Sequence, residues 1–167
     1  MQYERAIQLT PGEPAYFYNL GQSYLALRQW DPALRSFQKV IFLDPKNPEA
    51  YSEIGKVYEA TKDRKNALIA YEKALLIDSK RIFYHEKRGQ ILFELGRMGE
   101  ALEEYNTLLE VDPRNWFAHY QVGLIHEKNG FLERARQSYE EALRWVQNEK
   151  LKGRIIRRLW NLQGLGR

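Results

Sequence analysis

The residues of this chain that could do chemistry are few, and their spacing matches no metal or catalytic pattern. The three histidines are His85, His119 and His126. His119 and His126 lie seven residues apart, on one face of a helix, so a metal pair can be considered. No carboxylate stands at ligand spacing beside them, and the chain has no cysteine. Histidine in place of a packing aromatic is the better interpretation, so the sequence predicts no metal site and no cofactor.

Adjacent carboxylates and a glycine–lysine step are the other candidates for chemistry. Glu103 and Glu104 follow each other in a helical pattern, so their side chains point apart and suit a solvated surface. Gly55-Lys56 follows no strand and lacks the full spacing of a phosphate-binding loop. No set of nucleophile, base and orienting group can be assembled. We therefore expect that the chain is not an enzyme.

The composition places the chain among soluble globular proteins. Its 167 residues include 26 Lys plus Arg and 22 Asp plus Glu, a net charge of +4. Residues 150–167 hold six of the bases and no acid, so the rest of the chain is slightly acidic. Specific nucleic-acid binding by the folded body is therefore not expected. Without an apolar run of membrane-spanning length or an N-terminal signal pattern, the prediction is a cytoplasmic protein.

Three residue types recur with a period of 34 residues, and this period organises the chain. Glycine, alanine and an aromatic residue each occupy one register position in four successive copies: Gly21, Gly55, Gly89, Gly123; Ala33, Ala67, Ala101, Ala135; Phe37, Tyr71, Tyr105, Tyr139. Within a copy, apolar residues follow two separate helical stripes. Because glycine inside a helix costs about 1 kcal/mol relative to alanine, its recurrence indicates a close approach of a neighbouring helix.

The first copy carries the motif residues Phe17, Leu20, Gly21, Tyr24, Ala33, Phe37 and Pro45. This pattern resembles the tetratricopeptide repeat, a helix–turn–helix unit of 34 residues. The resemblance implies an all-α fold, a right-handed α-solenoid of stacked antiparallel helix pairs with a C-terminal capping helix. It divides the chain into a partial leading repeat (1–13), four repeats (14–47, 48–81, 82–115, 116–149) and a basic capping helix with its tail (150–167).

The two ends of the chain leave alternatives open. Residues 1–13 match the second half of a repeat, which indicates either a piece of a longer array or a truncated leading helix. In the tail, Leu151, Ile155, Leu159 and Leu162 line one helical face. We expect this face to cap the fourth repeat. A basic amphipathic helix can also contact an anionic membrane or a partner, which is the alternative.

The resemblance implies that first helices line a concave groove that holds a peptide segment of a partner. By register, the predicted partner-binding residues are Tyr18, Gln22, Leu25, Ser52, Lys56, Glu59, Phe83, Glu86, Gln90, Phe93, Phe117, Tyr120, Leu124 and Glu127. These positions lie off the packing stripe, so we expect that folding alone does not explain their aromatic residues.

The charge of the groove lining limits the kind of partner that the sequence predicts. The helical lining of the groove carries five acids and two bases. The prediction is a protein or peptide with apolar or aromatic anchors that is neutral or basic overall, since acids such as Glu53 and Glu86 would repel an acidic tail. The predicted function is a non-catalytic protein–protein interaction scaffold. The alternatives are self-association as an oligomerisation module, and a substrate-presenting region of a larger enzyme.

Arg88 departs from the packing pattern. It takes the register position of Leu20, Ile54 and Val122. A charge on a packing stripe must pair with an acid, extend to solvent or loosen the repeat. We expect an arginine whose charge is satisfied.

Overall fold

The computed structural model describes residues 12–164, which form nine α-helices and no strand. The helices are α1 (Pro14–Ala26), α2 (Trp30–Leu43), α3 (Pro48–Ala60), α4 (Arg64–Ile77), α5 (Ile82–Glu94), α6 (Met98–Val111), α7 (Trp116–Lys128), α8 (Leu132–Trp145) and α9 (Glu149–Leu162). Helix pairs joined by short turns follow the 34-residue period, so the predicted all-α class is confirmed. The predicted leading half-repeat lies almost entirely outside the described residues, as do the last three residues of the tail.

Two of the first helices, α3 and α7, begin at a side-chain cap. The Asn47 side chain accepts a hydrogen bond from the Ala50 amide at 2.9 Å, and Asn115 does the same for Ala118 at 3.0 Å. Such caps satisfy backbone amides that have no partner within the helix. Asn148 caps α9 in the same way. Asparagine is therefore the N-cap residue of α3, α7 and α9.

The turn within each repeat requires a left-handed residue at one register position. Gly96 and Gly130 hold it with φ of 79° and 78°. The predicted left-handed glycine C-caps are therefore confirmed. Arg28 and Lys62 hold the same position in the first two repeats, with φ of 56° and 62°. Side chains with a Cβ pay an energetic cost in this conformation, so the first two turns are more strained than the later ones.

The recurring glycines make room for the recurring aromatic rings. A Cβ placed on Gly55 would lie 2.8 Å from the Tyr71 ring, and one on Gly123 would lie 2.5 Å from the Tyr139 ring. Gly21 meets a ring of the second helix of its own repeat in the same way. Contacts this short are not sustained by real side chains. The predicted close approach of helices is therefore confirmed for these three glycines.

The chain packs as two compact units, one up to Ile91 and one from Leu92 onward, and the boundary falls within α5. A core cluster of the first unit joins α2, α3 and α4: Ala33, Phe37, Ile54, Val57, Ala70. A core cluster of the second unit joins α8 and α9: Ala135, Tyr139, Ala142, Val146, Ile155. The C-terminal helix thus buries its apolar face against the last repeat, as predicted for a capping helix. Within residues 12–164, no helix has the length and apolarity to cross a lipid bilayer.

Candidate functional site

The first helices of unit 1 carry most of the predicted partner-binding residues. We call this region the first-helix surface of unit 1; it comprises residues of α1, α3 and the part of α5 up to Ile91. A cleft of about 550 Å³ opens where α1 meets the start of α3. Tyr18 and Asn19 of α1 line it together with Val40 of α2 and Glu49 of α3. Its volume is sufficient for a side chain of a bound peptide.

A chain of polar contacts crosses this surface from α1 to α3. Gln22 Nε2 donates to the Tyr18 hydroxyl at 3.3 Å, and that hydroxyl donates to Glu53 Oε1 at 3.4 Å. Lys56 Nζ donates to the same Glu53 oxygen at 2.6 Å. Burial, followed by the charge of Glu53, raises the pKa of the Tyr18 hydroxyl. Glu53 is only 5% exposed, and within residues 12–164 its Oε2 accepts no hydrogen bond. Glu53 therefore contributes to contacts within this surface through Oε1, and its buried Oε2 is not accessible to a partner.

Phe83 lies on this surface between two ammonium groups. Its ring is 5.5 Å from Lys56 Nζ and 5.8 Å from Lys87 Nζ, and the residue is 37% exposed. Lys87 in turn pairs with Glu59 Oε2 at 2.9 Å, while the Tyr71 hydroxyl donates to the other oxygen of Glu59. Burial, then the hydrogen bond to Glu59, raises the pKa of Tyr71. The result is an exposed aromatic ring held in position by neighbouring ion pairs.

The acids of this surface are compensated by bases that the predicted lining did not contain. Glu49 pairs with Arg81 at 2.7 Å, and Glu59 pairs with Lys87 at 2.9 Å. Neither base was among the predicted site residues, because both stand beside the register positions used for that prediction. The first-helix surface of unit 1 is therefore closer to neutral than the count of lining residues indicated.

In unit 2 the corresponding acid is held by the C-terminal helix. Arg158 Nη1 of α9 lies 2.9 Å from Glu127 Oε2, and the Tyr139 hydroxyl also donates to this carboxylate. Tyr120 and Leu124 pack against the core of α8 and α9. Three predicted partner-binding residues of α7 are thus engaged within the chain. Arg158 was missed by sequence reasoning because the tail leaves the 34-residue register.

The aromatic residues of the predicted lining also pack, which corrects the expectation that folding does not explain them. The rings lie edge to face, or tilted, against the recurring aromatics of the second helices. The pairs are Tyr18 with Phe37 at 5.7 Å, Phe83 with Tyr71 at 6.5 Å, Phe117 with Tyr105 at 6.2 Å and Tyr120 with Tyr139 at 5.8 Å between ring centroids. The rings of Phe37, Tyr71 and Tyr139 lie against a repeat glycine, where no side chain separates them from the first helix.

The remaining predicted residues differ in their accessibility. Ser52 is 3% exposed, so its side chain offers no surface to a partner. Leu25 packs against the core of unit 1, whereas Glu86 and Gln90 are half-buried on α5. Phe93 lies in unit 2, where the Lys128 ammonium stands 5.3 Å from its ring centre.

The histidines and Arg88 serve the fold. His85 Nε2 contacts the Ser79 carbonyl oxygen at 2.8 Å, and His119 contacts that of Pro113 at 2.9 Å. Across residues 12–164, no group of three or more His, Cys, Asp or Glu side chains could hold a metal ion. Arg88 Nε pairs with Glu72 Oε1 at 3.3 Å. The prediction of a satisfied arginine is therefore confirmed.

Family models of one kind match most of the chain. A model described as Tetratricopeptide repeat matches residues 18–81, one described as TPR repeat matches residues 89–130, and another described as Tetratricopeptide repeat matches residues 118–148. The matched stretches reach into all four predicted repeats. A search of curated proteins found no match.

Solved structures of similar fold include several repeat proteins. YrrB, described as a TPR protein with an unusual peptide-binding site, is 19% identical with a TM-score of 0.79, over 99% of this chain and 85% of that one. MamA from Desulfovibrio magneticus RS-1 is 17% identical with a TM-score of 0.81, over 92% and 86%. A tetratricopeptide repeat protein from Parabacteroides merdae is 23% identical with a TM-score of 0.82, over 90% and 60%. These likenesses support the α-solenoid fold class.

Proposed function

This chain belongs to the tetratricopeptide repeat family, and we propose that it is a non-catalytic scaffold that binds a peptide segment of a partner protein on the first-helix surface of unit 1. The observation that carries the proposal is the exposed Phe83 ring with Lys56 and Lys87 beside it. A partly exposed aromatic at the centre of a patch with positioned polar neighbours has the features of a binding hot spot. The family assignment and the description of YrrB as peptide-binding agree with this function.

The partner is a neutral or basic segment with an apolar or aromatic anchor. Phe83 and the cleft beside Tyr18 offer apolar contact for the anchor. The half-buried Glu86 offers acceptors for donors of the peptide. Because Lys56 and Lys87 are already paired with Glu53 and Glu59, they add little attraction for an acidic segment. These features support the charge preference predicted from the sequence.

We propose the repeat boundaries 14–47, 48–81, 82–115 and 116–149, with residues 1–13 as a leading half-repeat and 150–167 as the capping helix and tail. The cytoplasmic location stays a prediction. So do self-association, a role within a larger enzyme, and membrane contact through the C-terminal helix.

The test is a binding measurement on a pair of matched variants. Random linear peptides displayed on phage are selected on the immobilised chain, and enriched peptides are synthesised with a fluorescent label. Phe83→Ala should weaken the Kd of neutral or basic peptides by at least about tenfold, as expected for a hot-spot aromatic.

The control is Phe131→Ala, since Phe131 is 53% exposed and lies in the turn before α8. This variant should leave the Kd unchanged, and circular dichroism should show native helicity for both. Equal Kd values on the wild type and on folded Phe83→Ala for every enriched peptide would overturn the proposal.

A further inference from the structure

A second surface of unit 1 carries a pocket that the proposed function does not use. It lies between the second helices α2 and α4, with α3 beneath them, and has a volume of about 340 Å³. This is within the range of pockets that hold small ligands or single large side chains. Its lining includes Gln38, Ile41, Tyr51, Ile54, Tyr58 and Ile69. Most of the lining is apolar or aromatic, and the amides of Gln38 and Asn66 and the ammonium group of Lys73 complete it.

Large apolar side chains stand exposed on the second helices of unit 1. Ile69, which lines the pocket, is 48% exposed, Phe42 is 75% exposed, and Leu76, which lines the depression beside Arg88, is 86% exposed. The repeat register provides an internal comparison, because the residues 34 positions after Ile69 and Leu76 are Glu103 and Glu110. The helix pair thus folds with charged residues at these positions. The exposed apolar residues of unit 1 are therefore not a requirement of the repeat.

The corresponding depression at the next register position in unit 1 is lined by charged residues. There, Arg88 takes the place of Ile54 and Glu72 takes the place of Gln38. Arg88 and Glu72 pair at 3.3 Å in a depression of about 390 Å³ that Leu75 and Leu76 also line. The charges in that depression therefore satisfy each other. The pocket over Ile54 has no such pair and keeps an apolar floor.

The charges around the apolar pocket are positive. Lys39 Nζ lies 4.6 Å from the Phe42 ring centre, and Lys73 Nζ lies 5.8 Å from that of Tyr51. Lys39 and Lys73 are register equivalents, and in the part of the chain that the structure describes neither has a carboxylate partner. Lys73 lines the pocket, whereas Lys39 lies outside it over the Phe17 and Phe42 rings. Two ammonium groups on this surface complement a ligand that is apolar at its centre and acidic at its edges.

We infer that this second-helix surface of unit 1 binds an acidic amphipathic segment of a partner protein, with one bulky apolar side chain in the pocket over Ile54. The carboxylates of the segment meet Lys39 and Lys73, while its remaining apolar residues cover Phe42 and Ile69. The inference goes beyond the proposed function because it concerns another surface with the opposite charge preference. A bounded pocket between helices fits one side chain of a protein better than it fits a lipid surface.

The experiment uses the same displayed peptides and a variant in which two residues of the second repeat are replaced by those at the same register positions of the third repeat. The double change Ile69→Glu with Lys73→Thr copies Glu103 and Thr107 of the third repeat. Because both positions are exposed, the fold should persist. A class of acidic peptides with a bulky apolar residue should be enriched, and their Kd should weaken at least about tenfold on this variant. Their Kd should not change on Phe83→Ala.

A charge-reversal variant, Lys39→Glu with Lys73→Glu, tests the same surface without touching the pocket floor. It should abolish binding of the acidic peptides and leave the neutral or basic peptides unaffected. The inference is overturned if no enriched peptide loses affinity on either variant, or if the peptides that do are basic. A second outcome would also overturn the inference. If no such peptide class is found, and the chain co-sediments with phosphatidylserine vesicles unless either variant is introduced, the surface binds a membrane.

Discussion

At the scale of single residues, the fold depends on the contact of three repeat glycines, Gly21, Gly55 and Gly123, with the aromatic rings of the second helices. Gly55 and Gly123 face Tyr71 and Tyr139 at distances that leave no space for a methyl group. This contact explains why glycine persists in the middle of helices, where it lowers intrinsic helix stability. Packing therefore overrides helix propensity at this position.

The prediction for this contact is that Gly55→Ala lowers the free energy of unfolding by about 1–2 kcal/mol, because overpacking against Tyr71 outweighs the gain in helix propensity. Denaturant unfolding followed by circular dichroism measures it. The control is Gly153→Ala in α9, where an added Cβ meets nothing within 4 Å. That change should raise stability by up to about 1 kcal/mol. A neutral or stabilising Gly55→Ala would contradict the packing argument.

His126 is a residue whose protonation opposes folding. Its Nδ1 is buried and has no hydrogen-bond partner within residues 12–164, and burial, then the charge of Arg134, lowers its pKa below the ordinary value. The unfolded chain therefore takes up the proton first as the pH falls. The neutral imidazole contributes its full stabilisation above about pH 6.5, the pKa of histidine in the unfolded chain. This contribution is lost progressively as the pH falls below that value.

We expect His126→Tyr, which copies Tyr24 and Tyr58 of the first two repeats, to remove this part of the pH dependence. Unfolding measured from neutral to mildly acidic pH should show a smaller loss of stability for the variant than for the wild type. The carboxylates contribute equally to both curves, so the difference isolates His126. Parallel curves would show that the imidazole titrates alike in both states.

Some hydrogen-bonded pairs of side chains could have been predicted by comparing the residue types of the repeats, which the prediction from register positions did not do. Acids at positions 59 and 127 occur with tyrosine twelve residues later, at Tyr71 and Tyr139, whereas Leu25 occurs with Phe37. The structure explains this coincidence, since each tyrosine hydroxyl donates to its acid. The pairing of Glu59 with Lys87 had no such signal, because it depends on how adjacent repeats place their side chains.

At the scale of helices, the turn between the two helices of a repeat is strained where it lacks glycine. Arg28 and Lys62 have φ of 56° and 62°, in the position that Gly96 and Gly130 occupy elsewhere. The sequence predicted the glycine turns, since glycine after a helix is a common C-cap. It did not predict that arginine and lysine would adopt the same conformation, which the packing of the following helix imposes.

We predict that Lys62→Gly raises the free energy of unfolding by about 0.5–1 kcal/mol, as relief of left-handed strain exceeds the entropy of the added glycine. Chemical denaturation gives the value. The reciprocal change, Gly130→Lys, should destabilise the chain by a similar amount. If the two substitutions shift stability in the same direction, backbone strain is not the cause.

The C-terminal helix α9 is part of the core of unit 2. Ile155 is 1% exposed among Tyr139 and Ala142 of α8, whereas its neighbour Ile156 is 38% exposed. Ile155→Ala should therefore cost about 2–4 kcal/mol through lost burial and the cavity left behind. Ile156→Ala should change stability by only about 0.5 kcal/mol. Thermal melts of the two variants compare them, and equal melting temperatures would exclude the capping role.

At the scale of the whole molecule, the period of 34 residues was sufficient to predict the helices and their pairing. The recurring residues and the apolar stripes of the sequence reflect contacts between neighbouring helices, and such contacts determine this fold. The polar contacts at the candidate surface could be predicted only in part. Arg158 reaches Glu127 from a helix outside the register. The apolar side chains of the pocket over Ile54 include Ile69, at a position where the next repeat has Glu103.

The two surfaces of unit 1 suggest a scaffold that holds segments of different charge. The first-helix surface has compensated acids and the exposed Phe83, while the second-helix surface has Lys39 and Lys73, which pair with no carboxylate among residues 12–164. Both consist of side chains on helices whose positions the glycine–aromatic contacts maintain. Binding at either one therefore needs no change of fold.

Nuclear magnetic resonance titration of the isotope-labelled chain with the enriched neutral or basic peptides is the most direct measurement. We expect the amide resonances of Tyr18, Lys56 and Phe83 to shift as the peptide is added, and Phe83→Ala to suppress the shifts. Resonances of Phe131 and its neighbours should stay in place. If every such peptide binds while the amides of Tyr18, Lys56 and Phe83 remain unmoved, the first-helix surface of unit 1 is not the binding site.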